Sequence, residues 1–81
     1  MPMMRGRHAR VTMNGADWID AFVALGSDNG DSIFLMFDGA LRTADGGMYV
    51  AAIAVLRDEH GVYRDLIRGD AVTIEWKGTA Q

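Results

Sequence analysis

The sequence predicts an α+β fold that is mostly β, with a short N-terminal helix followed by about five antiparallel strands in a small bent-sheet barrel. Short apolar runs recur along the chain, and glycine and aspartate separate them at regular spacing. One segment near the N-terminus has the periodicity of a helix instead. The chain has 81 residues, of which 49% are hydrophobic, so residues 1–81 are expected to form a single domain.

The predicted helix covers residues 15–25. At 100° per residue, its large apolar side chains fall on one side and its acidic side chains on the other. Asn14 is a suitable N-cap and Gly26 a suitable C-terminal stop. A competing interpretation makes Asn14-Gly15 a hairpin turn between two strands. The separation of apolar from acidic side chains favours the helix.

Five strands are predicted after the helix, and a short edge strand is also considered before it, over residues 7–13. Asp38-Gly39 is interpreted as a turn between the first two of the five. In the last strand, Val72, Ile74 and Trp76 are expected to face inward because they alternate with polar residues. The five predicted strands are 33–37, 40–43, 48–56, 62–67 and 71–77.

Two of these strands, 33–37 and 48–56, are apolar on both faces. Antiparallel sheets usually leave one face in water, and one short helix cannot cover a second face. The surplus must be buried within a closed barrel wall or against another chain. We therefore expect a homo-oligomer. The alternative is a sheet curled around one compact core, in which Ala51, Ala52 and Ala54 fill tight spaces.

Charge is distributed unevenly. The net charge is −3, yet Arg5, Arg7 and Arg10 all precede the first acidic residue, Asp17. This pattern predicts a basic arm on an acidic body, with residues 1–6 disordered. The arm is either a solvated tail or a segment that contacts phosphate groups.

The search for catalytic or metal-binding patterns finds none that is specific. Cysteine is absent, and neither His8 nor His60 has a second histidine at metal-ligand spacing. The run from Asp28 to Asp31 resembles part of a calcium loop but is too short to form one. We expect no enzyme activity, no metal and no cofactor; a minor alternative is an active site built at a subunit junction from Asp45, Asp58 and Asp65.

Targeting signals are also missing from the sequence. No apolar run approaches the roughly 20 residues that a membrane-spanning helix needs, and no apolar segment follows the N-terminal arginines as it would in a signal peptide. A cytoplasmic location and no association with membranes are expected.

Residues 66–74 read Leu-Ile-Arg-Gly-Asp-Ala-Val-Thr-Ile. This segment resembles the second sequence motif of the Sm and Sm-like proteins, in which Ile-Arg-Gly followed by Asn or Asp joins the last two strands. The predicted order of a helix and about five short strands is also similar to that family. The resemblance implies a small bent-sheet barrel, a ring assembled by pairing of edge strands, and single-stranded RNA bound near the central pore.

The resemblance also implies candidate RNA-binding residues. Arg68 and Gly69 would form the pore loop, where a guanidinium group can stack on a base. The family's first motif, Asp-x-aromatic-Met-Asn, is most similar to residues 45–49. There Asp45 and Met48 agree, glycine replaces the stacking aromatic residue, and Tyr49 replaces the asparagine.

Two functions follow from these observations. The first is a non-catalytic oligomeric module that binds single-stranded RNA in the Sm-like manner through Arg68, Gly69, Asp45 and Tyr49, aided by the basic arm. The alternative is a structural or assembly protein, such as a small barrel that forms rings in a phage or prophage particle, without nucleic-acid binding.

Overall fold

The computed structural model of the chain describes residues 5–13, 15–42 and 46–77. Antiparallel pairing joins each strand to the next in sequence, and the last strand returns to pair with the first, so the sheet closes into a barrel. The small, mostly β barrel expected from the sequence is thereby confirmed. The strands of the described part are β1 (His8–Met13), β2 (Ile19–Gly26), β3 (Ser32–Arg42), β4 (Met48–Arg57), β5 (Tyr63–Asp65) and β6 (Ala71–Trp76).

The predicted helix over residues 15–25 is wrong, because Ile19–Gly26 form strand β2 and no helix occurs in the described residues. Burial alternates along β2: Ala21 and Val23 are buried and Phe22 between them is exposed. β2 pairs with β1 on one side and with β3 on the other. This long-range pairing imposes an extended backbone on a sequence whose apolar spacing fits either a helix or a strand.

The competing hairpin interpretation describes this region better. β1 and β2 are antiparallel neighbours. In the connection between them, Gly15 has a φ of 70° and the N–H of Ala16 donates to the carbonyl of Met13 at 3.0 Å. The N-cap assigned to Asn14 lies outside the described residues.

The strand count also differs, with six strands in the described residues in place of five. Residues 8–13 form a barrel strand paired on both sides, not an edge strand. Asp38-Gly39 does not reverse the chain, because β3 continues through it as one bent strand. The bend coincides with a register shift between Met36 and Ala40 and with a φ of 129° at Gly39.

The core lies inside the barrel and consists of inward-facing aliphatic side chains. Val11, Val23, Leu35 and Val55 are fully buried, one from each of the first four strands. In β6 the predicted alternation is confirmed: Val72 is buried, and two further inward residues, Ile74 and Trp76, pack partly buried against the core. Because the interior is filled by side chains, a functional site must lie on the outside of the barrel or at its ends.

Candidate functional site

Large apolar side chains occupy the outside of the barrel on β2, β3 and β4. Cross-strand register aligns them in two rows, one through Phe22 and Met36 and one through Leu25 and Phe34. Both rows end on alanines of β4. We define the outer apolar face as Phe22, Leu25, Phe34, Met36, Ala52, Ala54, Leu56, Leu66 and Ile67.

The turn after β5 extends this face. The N–H of Leu66 donates to the carbonyl of Ala54 at 3.0 Å, which places the turn beside β4. The side chains of Leu66 and Ile67 are 58% and 79% exposed, the highest values among the large apolar residues of the described part. Together the six large exposed residues of the face present on the order of 500 Å² of apolar surface, near the upper end for a monomer.

The outer apolar face has a ridge and a trough. Phe22, Leu25 and Phe34 form the ridge on β2 and β3, while Ala52 and Ala54 form the trough on β4. Successive side chains of a strand point to opposite faces, so these alanines lie on the same outer surface as the ridge. The surface therefore carries both a projecting and a receding part within one patch.

Arginine side chains in β1 and just before it lie over two tryptophan rings, one at the end of β6 and one just before β2. The Arg7 guanidinium carbon lies 4.6 Å from the centre of the Trp76 ring, and that of Arg10 lies 5.0 Å from the centre of the Trp18 ring. Arg10 also pairs with Glu75, its cross-strand neighbour. Such stacks combine cation–π attraction with packing of the flat guanidinium group.

A mixed-charge cavity of about 280 Å³ lies among the first three strands and the end of β6. We call it the β1–β3 cavity. Within it, Lys77 Nζ lies 2.9 Å from an Asp20 carboxylate oxygen, and this contact lowers the pKa of Asp20. The residues that line the cavity are His8, Asp20, Ala21, Phe22, Phe37, Asp38 and Lys77.

The structure places the predicted pore-loop residues in the turn between β5 and β6. Arg68 Nε lies 3.3 Å from an Asp70 carboxylate oxygen. Tyr49 lies in β4, where its backbone is opposite Leu41, and Asp45 lies outside the described residues. The turn meets β4 at Ala54, five residues from Tyr49, or roughly 16 Å along an extended strand. The hydrogen bond of this turn to β4 is thus at Ala54 and not at Tyr49.

The basic arm is described from Arg5 onward. Arg5 and Gly6 form a turn, and the Gly6 N–H donates to the Val23 carbonyl at 2.6 Å. The Val23 N–H in turn donates to the carbonyl of Arg7 at 2.9 Å. Residues 1–4 of the predicted arm lie outside the described residues. The described part of the arm therefore runs alongside β2.

The acidic loop between β2 and β3 is held by an arginine. Arg57 Nε donates to Asp31 at 2.9 Å, a contact that raises the pKa of Arg57, and another guanidinium nitrogen donates to the carbonyl of Asn29 at 3.0 Å.

Among the residues that the structure describes, no group of three or more histidine, aspartate or glutamate side chains is arranged to hold a metal ion. The same residues include no helix that could cross a membrane.

The sequence identified only part of the outer apolar face. The two-faced pattern of residues 33–37 pointed to Phe34, but Phe22 and Leu25 were assigned to a helix. Alternation of Phe22 with the small residues Ala21 and Val23 was the signal that could have revealed Phe22, whereas Leu25 faces outward because the register shifts between Val23 and Leu25. Comparisons of the chain with protein-family models, with curated proteins and with solved structures gave no match.

Proposed function

We propose that this chain is a non-catalytic assembly module that works as a homo-oligomer, with a second copy covering the outer apolar face. The observation that carries the proposal is the continuity of that face across three strands and into the turn at Leu66 and Ile67. Contiguous apolar surface of this extent is typical of protein interfaces. A cytoplasmic location, expected from the sequence, belongs to the same proposal.

The size of the face suits a second copy. Its large side chains supply about 500 Å² of apolar surface, whereas a standard interface buries roughly 800 Å² on each partner, including a polar rim. Arg64 and Ser32 flank Leu56 in the cross-strand register and begin such a rim. The face therefore has the area of an interface core.

The ridge and the trough of the outer apolar face favour a two-fold dimer as the basic unit. In a two-fold interface the same patch meets itself, so a ridge on one side needs a trough on the other. An axis lying along β3 sets Phe22 and Leu25 of one copy over Ala52 and Ala54 of the other, and it sets Phe34 against its own counterpart. Closed barrels have few free edges, so packing of sheet faces is the contact open to this surface.

Sedimentation velocity and light scattering across a wide concentration range test the proposal. Phe34→Glu places a charge at the centre of the face, and Ile67→Glu places one at its rim on a fully external side chain. Thr73→Glu is the matched control, because Thr73 is exposed on β6, away from the face. We expect an oligomer for the wild type and for Thr73→Glu, and dissociation for the other two.

Circular dichroism and thermal unfolding establish that each variant is folded. A wild-type chain that stays a folded monomer at high concentration would reject the assembly proposal. A Phe34→Glu variant and an Ile67→Glu variant that both remain oligomeric would reject this face as the contact.

Single-stranded RNA binding, which the sequence predicts in the Sm-like manner, is a second candidate function. The stacks of Arg7 on Trp76 and of Arg10 on Trp18 favour RNA binding through a surface that does not include the predicted pore-loop residues, since aromatic rings beside cations are common base-stacking platforms. The net charge of −3 and the pairing of Arg10 with Glu75 weaken it.

Fluorescence titration with labelled oligouridine separates the two functions. RNA binding predicts affinity that falls steeply with salt, and no binding at low salt rules it out. Arg68→Ala tests the predicted pore loop, while Trp18→Ala tests the surface formed by Arg10 and Trp18. Loss of binding in only one of the two variants identifies the surface used.

A further inference from the structure

The β1–β3 cavity shares one lining residue, Phe22, with the outer apolar face, so its ligand binding is best tested in a monomeric chain. Its volume of about 280 Å³ lies just below the range usual for drug-sized ligands, so it suits a smaller group. It is partly open to solvent and lies beside the bend of β3. Both charged and aromatic side chains line it, which restricts the chemistry of a ligand.

One charge in the cavity is uncompensated. Lys77 and Asp20 neutralise each other at 2.9 Å, and His8 counts as neutral at pH 7. The Asp38 carboxylate makes no hydrogen bond or ion pair with any side chain or backbone group in the described ranges. The lining thus carries a net charge of about −1 and favours a cation.

The apolar part of the cavity favours an organic cation over a bare ion. The Phe22 ring is exposed, and its centre lies 6.1 Å from that of the His8 ring at a tilt of 44°. An aromatic face attracts ammonium and guanidinium groups. Ala21 and Phe37, which are almost fully buried, form the apolar floor of the cavity, against which the end of an alkyl stem can pack.

We propose that the β1–β3 cavity binds an alkylammonium or alkylguanidinium group, with the cationic head between the Asp38 carboxylate and the Phe22 ring and the alkyl stem along Ala21 and Phe37. Such a group occurs in free amines and in the lysine and arginine side chains of other proteins. The two sources share one chemistry, and the experiment separates them.

The test is a titration of the ¹⁵N-labelled full chain with n-butylammonium, followed by two-dimensional NMR, with n-butanol as the neutral probe of similar shape. We expect saturable shifts of the His8, Phe22 and Asp38 amides with the amine only. Asp38→Asn should weaken binding by at least about threefold. Asp28→Asn, which changes an exposed aspartate in the β2–β3 loop, should leave it unchanged.

A second variant keeps the test valid if Asp38→Asn does not fold. Phe22→Leu removes the ring but keeps an apolar side chain, and it should also weaken binding. Equal shifts with butanol and butylammonium, or wild-type affinity in both variants, would overturn the proposal. The blocked tripeptide acetyl-Gly-Lys-Gly-amide is the second arm: tighter binding than butylammonium indicates a protein side chain as the source, and weaker binding indicates a free amine.

The same titration on the Phe34→Glu variant keeps this result separate from assembly. A monomeric Phe34→Glu chain that still binds butylammonium supports the cavity on its own. A monomeric Phe34→Glu chain that does not bind butylammonium overturns the cavity proposal, and an oligomeric wild type then leaves the assembly proposal standing.

Discussion

The carboxylate of Asp65 accepts a hydrogen bond from the backbone N–H of Ile67, with Oδ1 and N 2.9 Å apart. The same oxygen accepts from the N–H of Arg68 at 2.6 Å, and Oδ2 accepts from the N–H of Asp70 at 3.2 Å. Asp65 is only 2% exposed. A buried carboxylate thereby fixes the turn that presents Ile67 to solvent, and the Ile-Arg-Gly-Asp segment has a structural role in this barrel.

Replacing Asp65 by alanine should destabilise the fold by about 2 kcal/mol, because three backbone donors lose their acceptor in a buried position. Urea unfolding followed by tryptophan fluorescence measures the change. Asp28→Ala, at an exposed loop position, should shift stability by less than about 0.5 kcal/mol. A similar small effect for Asp65→Ala would show that water replaces the carboxylate at no cost.

Ala51 in β4 has a φ of 73°, in the left-handed region that costs a residue with a side chain roughly 1–2 kcal/mol. Glycine removes that strain but loses more backbone entropy on folding. We expect Ala51→Gly to stabilise the protein by about 0.5 kcal/mol, measured as a rise in Tm of a few degrees. Ala52→Gly, at the next position, should lower Tm, and a lower Tm for both would contradict the conformational strain.

Much of the barrel could be predicted from local pattern. The run 71–77 alternates strictly and forms a strand with the expected face inward, and the apolar runs 33–37 and 48–56 lie within β3 and β4. Turn residues marked most of the connections. These features depend on the spacing of apolar residues and on the backbone preferences of turn residues, and both can be read from a short stretch of sequence.

Features that depend on distant partners could not be predicted in this way. Phe22 and Leu25 fit a helical stripe, and only the pairing of β2 with both neighbours makes them outward-facing strand residues. The β1–β3 cavity joins side chains from three strands and the end of β6, so no stretch of sequence contains it. Asp38-Gly39 has the composition of a turn, and the register between β3 and β4 makes it a bend.

Gly39 provides a direct test of that bend. Its φ of 129° is accessible in practice only to glycine, while a Cβ there would lie 3.5 Å from Ile19 Cδ1, an ordinary contact. Gly39→Ala should therefore cost roughly 2 kcal/mol through backbone strain and not through a clash. Chemical denaturation measures the loss. If adding Ile19→Val to the Gly39→Ala variant restores its stability, a clash between side chains is responsible for the loss instead.

Asp58 should make stability depend on acid pH. Its carboxylate accepts hydrogen bonds from the N–H of Val62 at 2.9 Å, from Arg64 Nε at 2.9 Å and from the N–H of His60 at 2.8 Å. These contacts favour the charged form and lower its pKa from 3.8 to about 2. The unfolded chain then binds a proton more readily than the folded one.

The direction of the pH dependence follows from this difference in the pKa of Asp58 between the folded and the unfolded chain. The stabilisation from Asp58 is fully present above the unfolded pKa of 3.8 and is lost as the pH falls through the folded pKa of about 2. Urea midpoints measured from pH 7 to pH 2 should therefore show a gap between wild type and Asp58→Asn that is constant above about pH 5 and narrows below pH 4. Asp28→Asn should follow the wild type throughout. A gap that is independent of pH would mean that Asp58 acts through its shape and hydrogen bonds alone, without its charge.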